Sequence, residues 1–326
     1  MKVKVKSPVV YPVIVPTTLG NLQTINFYLV EAEGKLILID AGVDNDACWD
    51  NFCEVLREND FTLHDLDAII LTHNHSDHIG LVNRIRQICD IPVYAHEDAI
   101  IRLKRDRNFL EKRARFFEKL YEEMGCGSDA DELLERLKTS IDRNAHQKIN
   151  GEIQSLVGGD YIFGFSVIEV PGHAPDQITL WHEESGMMFV GDHLIKHSPS
   201  NALVELGKDG KRIRSLILYE KSLKKLLDFK VKTAYSGHGE LIGEPYKLIH
   251  QKLERIKQKG NRIEKLLTEE KTAAEIAKEL YGNRYEPLLP LVMSEIIGHL
   301  DRLESLGKIV KEIRRNVYYF KQNKVE

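Results

Sequence analysis

The stretch Thr72-His73-Asn74-His75-Ser76-Asp77-His78 follows the apolar run Ala68-Ile69-Ile70-Leu71 and packs three imidazoles and a carboxylate into six positions. Burying such a cluster is costly unless something pairs with it. Neutral imidazole is a good ligand for zinc and similar metals, and carboxylate oxygen is a compatible partner, so a cation resolves the cost. Side chains alternate along an extended segment, which aims His73 and His75 to one side. A helical turn starting near Asp77 aims Asp77 and His78 at a neighbouring point, and the spacing suggests two adjacent metal positions. The competing reading is a histidine-rich surface loop. A chance H-x-H-x-D-H match in this composition has a probability on the order of one in a thousand, which favours the metal.

Working outward, three more ligand-type residues stand just past strand-like runs. Pro171-Gly172-His173 closes Ser166 to Val170, Gly191-Asp192-His193 closes Met187 to Val190, and Ser236-Gly237-His238-Gly239 closes Val231 to Tyr235. A glycine beside each lets the backbone approach closely.

In this order, and with the turn Asp40-Ala41-Gly42 ahead of them, the motifs resemble those of the metallo-β-lactamase superfamily across about residues 10 to 245. The resemblance implies an α/β fold, a four-layered αβ/βα sandwich with its site at the sheet edge between two related halves. It also implies one metal held by His73, His75 and His173, a second by Asp77, His78 and His238, and Asp192 bridging both. Two divalent ions are the expected cofactors, zinc first, although a His/Asp set also accepts iron or manganese. Such a pair lowers the pKa of a shared, bridging water enough to hold it as hydroxide near neutral pH, which supplies the nucleophile. Asp77 is the expected catalytic residue, a ligand that also orients the attacking water and relays its proton.

The rest of the chain reads as alternating strands and helices. Val13 to Val15, Ile25 to Val30, Leu36 to Ile39, Ala68 to Leu71 and Ile91 to Ala95 read as strands, with a helix over about Ala47 to Glu58. Charged helical stretches follow, including Asn108 to Met124 and Ala130 to Ile141. They make residues 97 to 155 an insertion expected to project from the core and cover a site. Strands resume at Tyr161 to Val170, Ile178 to His182, Met187 to Val190 and Val231 to Tyr235. This organisation gives a catalytic domain over 1–247 and a C-terminal helical domain over 248–326. In the latter, Thr272-Ala273-Ala274-Glu275 is a capping box, Leu289 to Leu306 is a helix stopped by Gly307, and Ile309-Val310 and Val317 to Phe320 flank Arg314-Arg315-Asn316 as a wing. The segment reads as a winged helix-turn-helix. A small winged module also closes a subgroup similar to β-lactamase-like protein 2, although the long insertion departs from that subgroup's compact pattern.

Several residues near the motifs carry two readings each. His193, His197, Ser198, Ser200 and Asn201 are candidates for the pocket rim, with a solvated loop as the blander account. Tyr219 offers a donor to an oxyanion, yet it fits a helix-packing role better. Lys211, Arg212 and Arg214 could hold a substrate anion, with a solvated loop favoured. Ile195 stands where lactonase members of the superfamily carry a tyrosine, which weakens a lactonase reading. His64, His96, His146, His182, His250 and His299 are expected to be ordinary surface or packing residues, since a metal site needs convergent ligands.

Composition bounds the partners. With 46 basic against 50 acidic residues in 326, the net charge of -4 gives no global sign of a polyanionic partner. The four cysteines, Cys48, Cys53, Cys89 and Cys126, lack C-x-x-C spacing and suit a reducing compartment. Prolines and strand-like alternation in MKVKVKSPVVYPVIVP argue against a signal peptide, and no run approaches the length of a membrane span. The expectation is a cytoplasmic protein with no membrane partner, a homodimer being the commonest assembly. From Lys308 to Lys324 six basic residues face one acidic. The helix in the recognition position nevertheless holds Glu295, Asp301 and Glu304, which is poor for binding nucleic acid. The expected activity is hydrolysis of a small ester, thioester or lactone. A single-strand-specific nuclease guided by the tail and a transcriptional regulator sensing metal are the alternatives.

Overall fold

The computed structural model describes residues 7–323 apart from Leu19 and Asn21. Met1 to Lys6 of the opening stretch and Lys324 of the basic tail lie outside the described residues. Strands β1 (Val9–Pro16), β2 (Thr24–Ala32) and β3 (Lys35–Ile39) form an antiparallel meander. Helix α1 (Asp46–Glu58) leads to β4 (Ala68–Ile70), and the short helices α2 (Ser76–Ile79) and α3 (Val82–Arg86) lead to β5 (Val93–His96). The insertion follows as α4 (Glu97–Leu103), α5 (Arg107–Glu123) and α6 (Asp131–Arg143), and it returns to the sheet at β6 (Gln154–Leu156). From β3 to β6 the strands pair in parallel, completing a six-stranded sheet in sequence order.

The second sheet opens with β7 (Tyr161–Ile162), β8 (Phe165–Glu169), β9 (Ile178–His182) and β10 (Met187–Gly191), all antiparallel. A ribbon of β11 (Glu205–Leu206) and β12 (Arg212–Ile213) and helix α7 (Ser215–Leu226) intervene before β13 (Thr233–Ser236) joins parallel to β10. Helices α8 (Pro245–Leu266), α9 (Ala273–Tyr281) and α10 (Leu289–Ser305) then precede the hairpin of β14 (Ile309–Arg314) and β15 (Val317–Gln322).

Strand alternation builds the layers. Ile37 and Ile39 of β3 face the second sheet, packing with Phe165, Leu180 and Phe189. Leu36 and Leu38 face the other way, against Phe52 and Leu56 of α1. The outer face of the second sheet packs Met188 and Val190 on Leu223 of α7 and Leu248 of α8. Helices, sheet, sheet and helices therefore stack as the expected four layers. Each fully buried leucine or isoleucine contributes roughly 2 kcal/mol relative to an exposed one, so a one-residue slip of β3 would forfeit both faces at once.

Two details differ from the sequence reading. Tyr161 to Val170 is not one strand, because Phe163 and Gly164 take positive φ (47° and 87°) and fold it into a tight hairpin. Strand β1 also runs through Pro12 and Pro16, which it tolerates by pairing only with β2 at the sheet edge.

The insertion does not project freely. Phe117, Leu120 and Met124 share a core with Ile263, Ile276 and Val292, and the Met124 carbonyl accepts a hydrogen bond from the Ala274 amide. Helix α9 starts at the expected capping box, with Thr272 N–H donating to Glu275 Oε2 at 2.7 Å.

Candidate metal centre

The chemistry-bearing residues sit beyond the carboxyl ends of strands, one in the first sheet and three that run the same way in the second. His73 and His75 follow β4, His173 follows β8, Asp192 follows β10 and His238 follows β13. His75 is the extended residue that opens α2, so Asp77 and His78 fall in its single turn. Open α/β sheets commonly place their sites at such strand ends.

All seven sequence-predicted residues converge. They form three overlapping groups, His73–His75–His173, His73–His78–Asp192 and Asp77–His78–His238, in each of which the ligand atoms lie within 4.8 Å of one another. His75 Nδ1 is 3.1 Å from His73 Nε2 and 2.9 Å from His173 Nε2. Asp192 stands between the groups, with Oδ1 3.3 Å from His78 Nε2 and Oδ2 3.2 Å from His238 Nε2 and 3.5 Å from His173 Nε2. Asp77 Oδ2 is 3.4 Å from His238 Nε2.

Cations fit this arrangement on two counts. His78 Nε2, His238 Nε2 and Asp192 Oδ1 are buried with no hydrogen-bond partner among the described residues, which is costly unless a ligand claims them. Gly237 keeps the space open, because a Cβ there would lie 2.5 Å from His78 Cε1 and 2.6 Å from Asp192 Oδ1.

The electrostatics divide the imidazoles. Burial pushes His73 and His75 below the usual histidine range and His173 down to about 4, leaving all three neutral and ready to donate a lone pair. Burial opposes charge on His78 and His238 as well, yet Asp192 outweighs it and raises His78 well above the ordinary value and His238 to about 9. The same partners hold Asp77 and Asp192 below the carboxylate range despite burial.

Outer partners fix the rings. Asp40, at φ 59°, accepts from His78 Nδ1 and Thr72 Oγ1 at 2.8 Å each and from the Thr72 amide at 2.7 Å. The Asn201 carbonyl accepts from His173 Nδ1 at 2.9 Å, and the Thr24 carbonyl from His238 Nδ1 at 2.8 Å. These hydrogen bonds orient Nε2 toward the centre. Asp40 had a signal in the Asp40-Ala41-Gly42 turn, whereas a backbone carbonyl gives none in a sequence.

The secondary candidates take structural places. His193 is fully buried against Tyr219, whose hydroxyl donates to the His193 carbonyl at 3.0 Å. His197 lies 3.6 Å from Glu240 at the surface. Ser198 and Ser200 are buried around Lys252. Arg212 pairs with the buried Asp301 at 2.7 Å, and Arg214 lies 3.9 Å from Glu304, so this loop ties to α10. None of His64, His96, His146, His182, His250 and His299 joins a candidate metal group among the described residues.

A cavity of about 370 Å³ opens beside His75 and His173. Helices α5 and α6 line it with Phe109, Leu110, Phe117 and Leu137, α10 adds Leu291, and Arg102, Arg105 and Arg113 supply charge. The insertion thus forms one wall of the space next to the candidate ligands.

Comparisons with known proteins bear on the family and the fold. A family model described as the metallo-beta-lactamase superfamily matches residues 20–238. The chain is 32% identical over 299 residues to a probable metallo-hydrolase, YqjP, of Bacillus subtilis, covering 91% of this chain and 93% of that protein. It is 27% identical to a beta-lactamase-like protein 2 homolog of Drosophila melanogaster, over 89% of this chain and 85% of the other. Among solved structures, the metallo-beta-lactamase family protein TTHA1429 of Thermus thermophilus superposes with a TM-score of 0.78 at 22% identity, covering 96% of this chain and 98% of that one.

Proposed function

The chain belongs to the metallo-β-lactamase superfamily, and from that premise we propose that it is a binuclear metal-dependent hydrolase of a small ester, thioester or lactone. The observation that carries this reading is the convergence of seven donors, five of them buried and three of their atoms without a hydrogen bond, beside a cavity with apolar walls and three arginines. His73, His75 and His173 would hold one divalent cation and Asp77, His78 and His238 the other, with Asp192 between them. Bound there, the cations would act as Lewis acids and make water reactive at neutral pH.

This chain's own residues supply the rest. The Asp77 carboxylate orients the attacking water and accepts its proton. The water oxygen forms a bond to the acyl carbon, the bond to sulfur or oxygen breaks, and the proton passes from Asp77 to the leaving group. Phe109, Leu110, Leu137 and Leu291 take an apolar acyl or aryl body and exclude water. Arg113 is already paired with Glu205 at 2.7 Å, which leaves Arg102 and Arg105 as the cations nearest such a substrate.

Two observations favour a small molecule over nucleic acid. Helix α10 buries 11 of its 17 residues, and the face it leaves accessible carries Glu295 and Glu304, which repel a phosphate backbone. Three basic groups of the tail are also already paired, Lys308 with Glu264, Lys311 with Glu304, and Arg314 with Glu270 and Glu312.

The test is turnover of a thioester and lactone panel beside a labelled single-stranded RNA, each with and without chelator. Chelator-sensitive hydrolysis of a panel member with intact RNA is expected. Cleavage of the RNA alone, falling steeply with salt, would favour the nuclease instead.

A further inference from the structure

A second cavity, of about 410 Å³, lies between α7, α8, α10 and the loop around Ser200. Lys252, Arg255, Lys259 and Arg262 line it from one stripe of α8, since they recur at helical spacing. Only Lys259 has a carboxylate partner on the wall, Glu295 at 3.4 Å, and that carboxylate also accepts from Tyr281. Four cations therefore face one neutralised acid.

A stripe of solvated charge is the ordinary fate of such a helix, and two buried groups argue against it here. The Lys252 ammonium is on a residue only 6% exposed and contacts only neutral oxygens, the Ser198 carbonyl at 3.3 Å and Ser200 Oγ at 3.2 Å. Burial and the nearby Arg255 lower it to about 8 against the pull of the more distant Asp192 carboxylate, so it still carries its charge at neutral pH. His299 also lines the cavity, 2% exposed, and its Nδ1 has no partner among the described residues. A buried cation in contact with neutral oxygens alone calls for a ligand rich in acceptors, and the unpaired imidazole nitrogen calls for a polar one. The excess of positive charge exceeds what one carboxylate would balance and suits a phosphate dianion.

We propose that this cavity is a second ligand site that takes a small phosphorylated molecule, its phosphate oxygens against Lys252 and Arg255, its organic part on Leu216, Ile256 and Leu291, and Arg262 adding to the field that attracts it. The site is separate from the metal centre but linked to it. Asn201 lies on the cavity wall and holds His173, while Leu291 and Ser294 line both cavities.

The test is calorimetric titration of the metal-loaded, full-length protein with phenyl phosphate and, separately, inorganic phosphate. Saturable binding of one phenyl phosphate per chain, tighter than inorganic phosphate, is expected. The exposed pair Arg255→Glu and Arg262→Glu together should weaken it at least tenfold with metal content and melting temperature unchanged. No saturable binding, or binding unaffected by that double charge reversal, would overturn the proposal, the latter by placing the anion elsewhere, on the metals for example.

Discussion

Asp40 Oδ2 lies 2.8 Å from His78 Nδ1, so a carboxylate at the end of β3 sets which imidazole nitrogen faces the centre. The pair is almost entirely buried, and Asp40 also receives the Thr72 amide and hydroxyl. Asp40→Ala should therefore weaken metal affinity by roughly 10- to 100-fold, as loss of such outer partners does. It should also destabilise the protein by about 2 kcal/mol through the Thr72 amide left unpaired. Chelator competition and a thermal melt check both, and wild-type affinity in the variant would contradict the role given to Asp40.

Asp77 is assigned both ligand and proton-transfer roles. Asp77→Asn keeps the side-chain shape and removes the basic oxygen, so turnover should fall by about 10²- to 10⁴-fold while circular dichroism stays as in the wild type. Undiminished turnover in the folded variant would remove Asp77 from the mechanism.

The room between His78 and Asp192 depends on the absence of one methyl group. Gly237→Ala places a Cβ 2.5 Å from His78 Cε1 and 2.6 Å from Asp192 Oδ1, which one of the rings or carboxylates must escape. Metal content after reconstitution should drop below the wild-type value, and full occupancy would show that the centre can expand.

Metal loading should release protons. In the metal-free chain Asp192 and Asp77 overcome the burial cost and keep His238 protonated up to about 9, against an ordinary value of 6.5. A metal ligand must be deprotonated, so binding between these two pH values expels a proton and affinity rises with pH across that window, flattening above it. Calorimetry in two buffers of different ionisation enthalpy measures the proton count. A pH-independent affinity from pH 6.5 to 9 would place His238 outside the site.

The tie between the Arg212 loop and α10 is a structural one. Asp301 is 4% exposed, and Arg212→Ala leaves its carboxylate buried without a partner. The expected cost is about 3 kcal/mol, read as a lowered denaturant midpoint. Loss of substrate affinity at unchanged stability would instead return Arg212 to the substrate-binding role that the sequence allowed.

The seven side chains of the centre were legible because each stands in a short motif just after an apolar strand, where residue type and spacing carry the chemistry. A layered α/β architecture was legible in the alternation of strand-like and helix-like runs, whereas the count of four came from the resemblance; that Leu36 and Leu38 face α1 while Ile37 and Ile39 face the second sheet is not visible in a run apolar at all four positions. Backbone partners left no trace, since the carbonyls of Thr24 and Asn201 belong to every residue type. The hairpin at Phe163-Gly164 lacked the asparagine or aspartate that usually announces such a turn. The second cavity was hidden for another reason. Its cations are scattered through a charged helix, and only the packing of α8 against α7 and α10 encloses them.

The central claim is that these seven side chains hold two metal ions, and the direct measurement is metal stoichiometry by elemental analysis across single-site variants. The reconstituted wild type should carry two divalent ions per chain, with His75→Ala and His238→Ala each losing one and Asp192→Ala losing both. A wild type that binds no metal, or variants that all keep two ions, would contradict it.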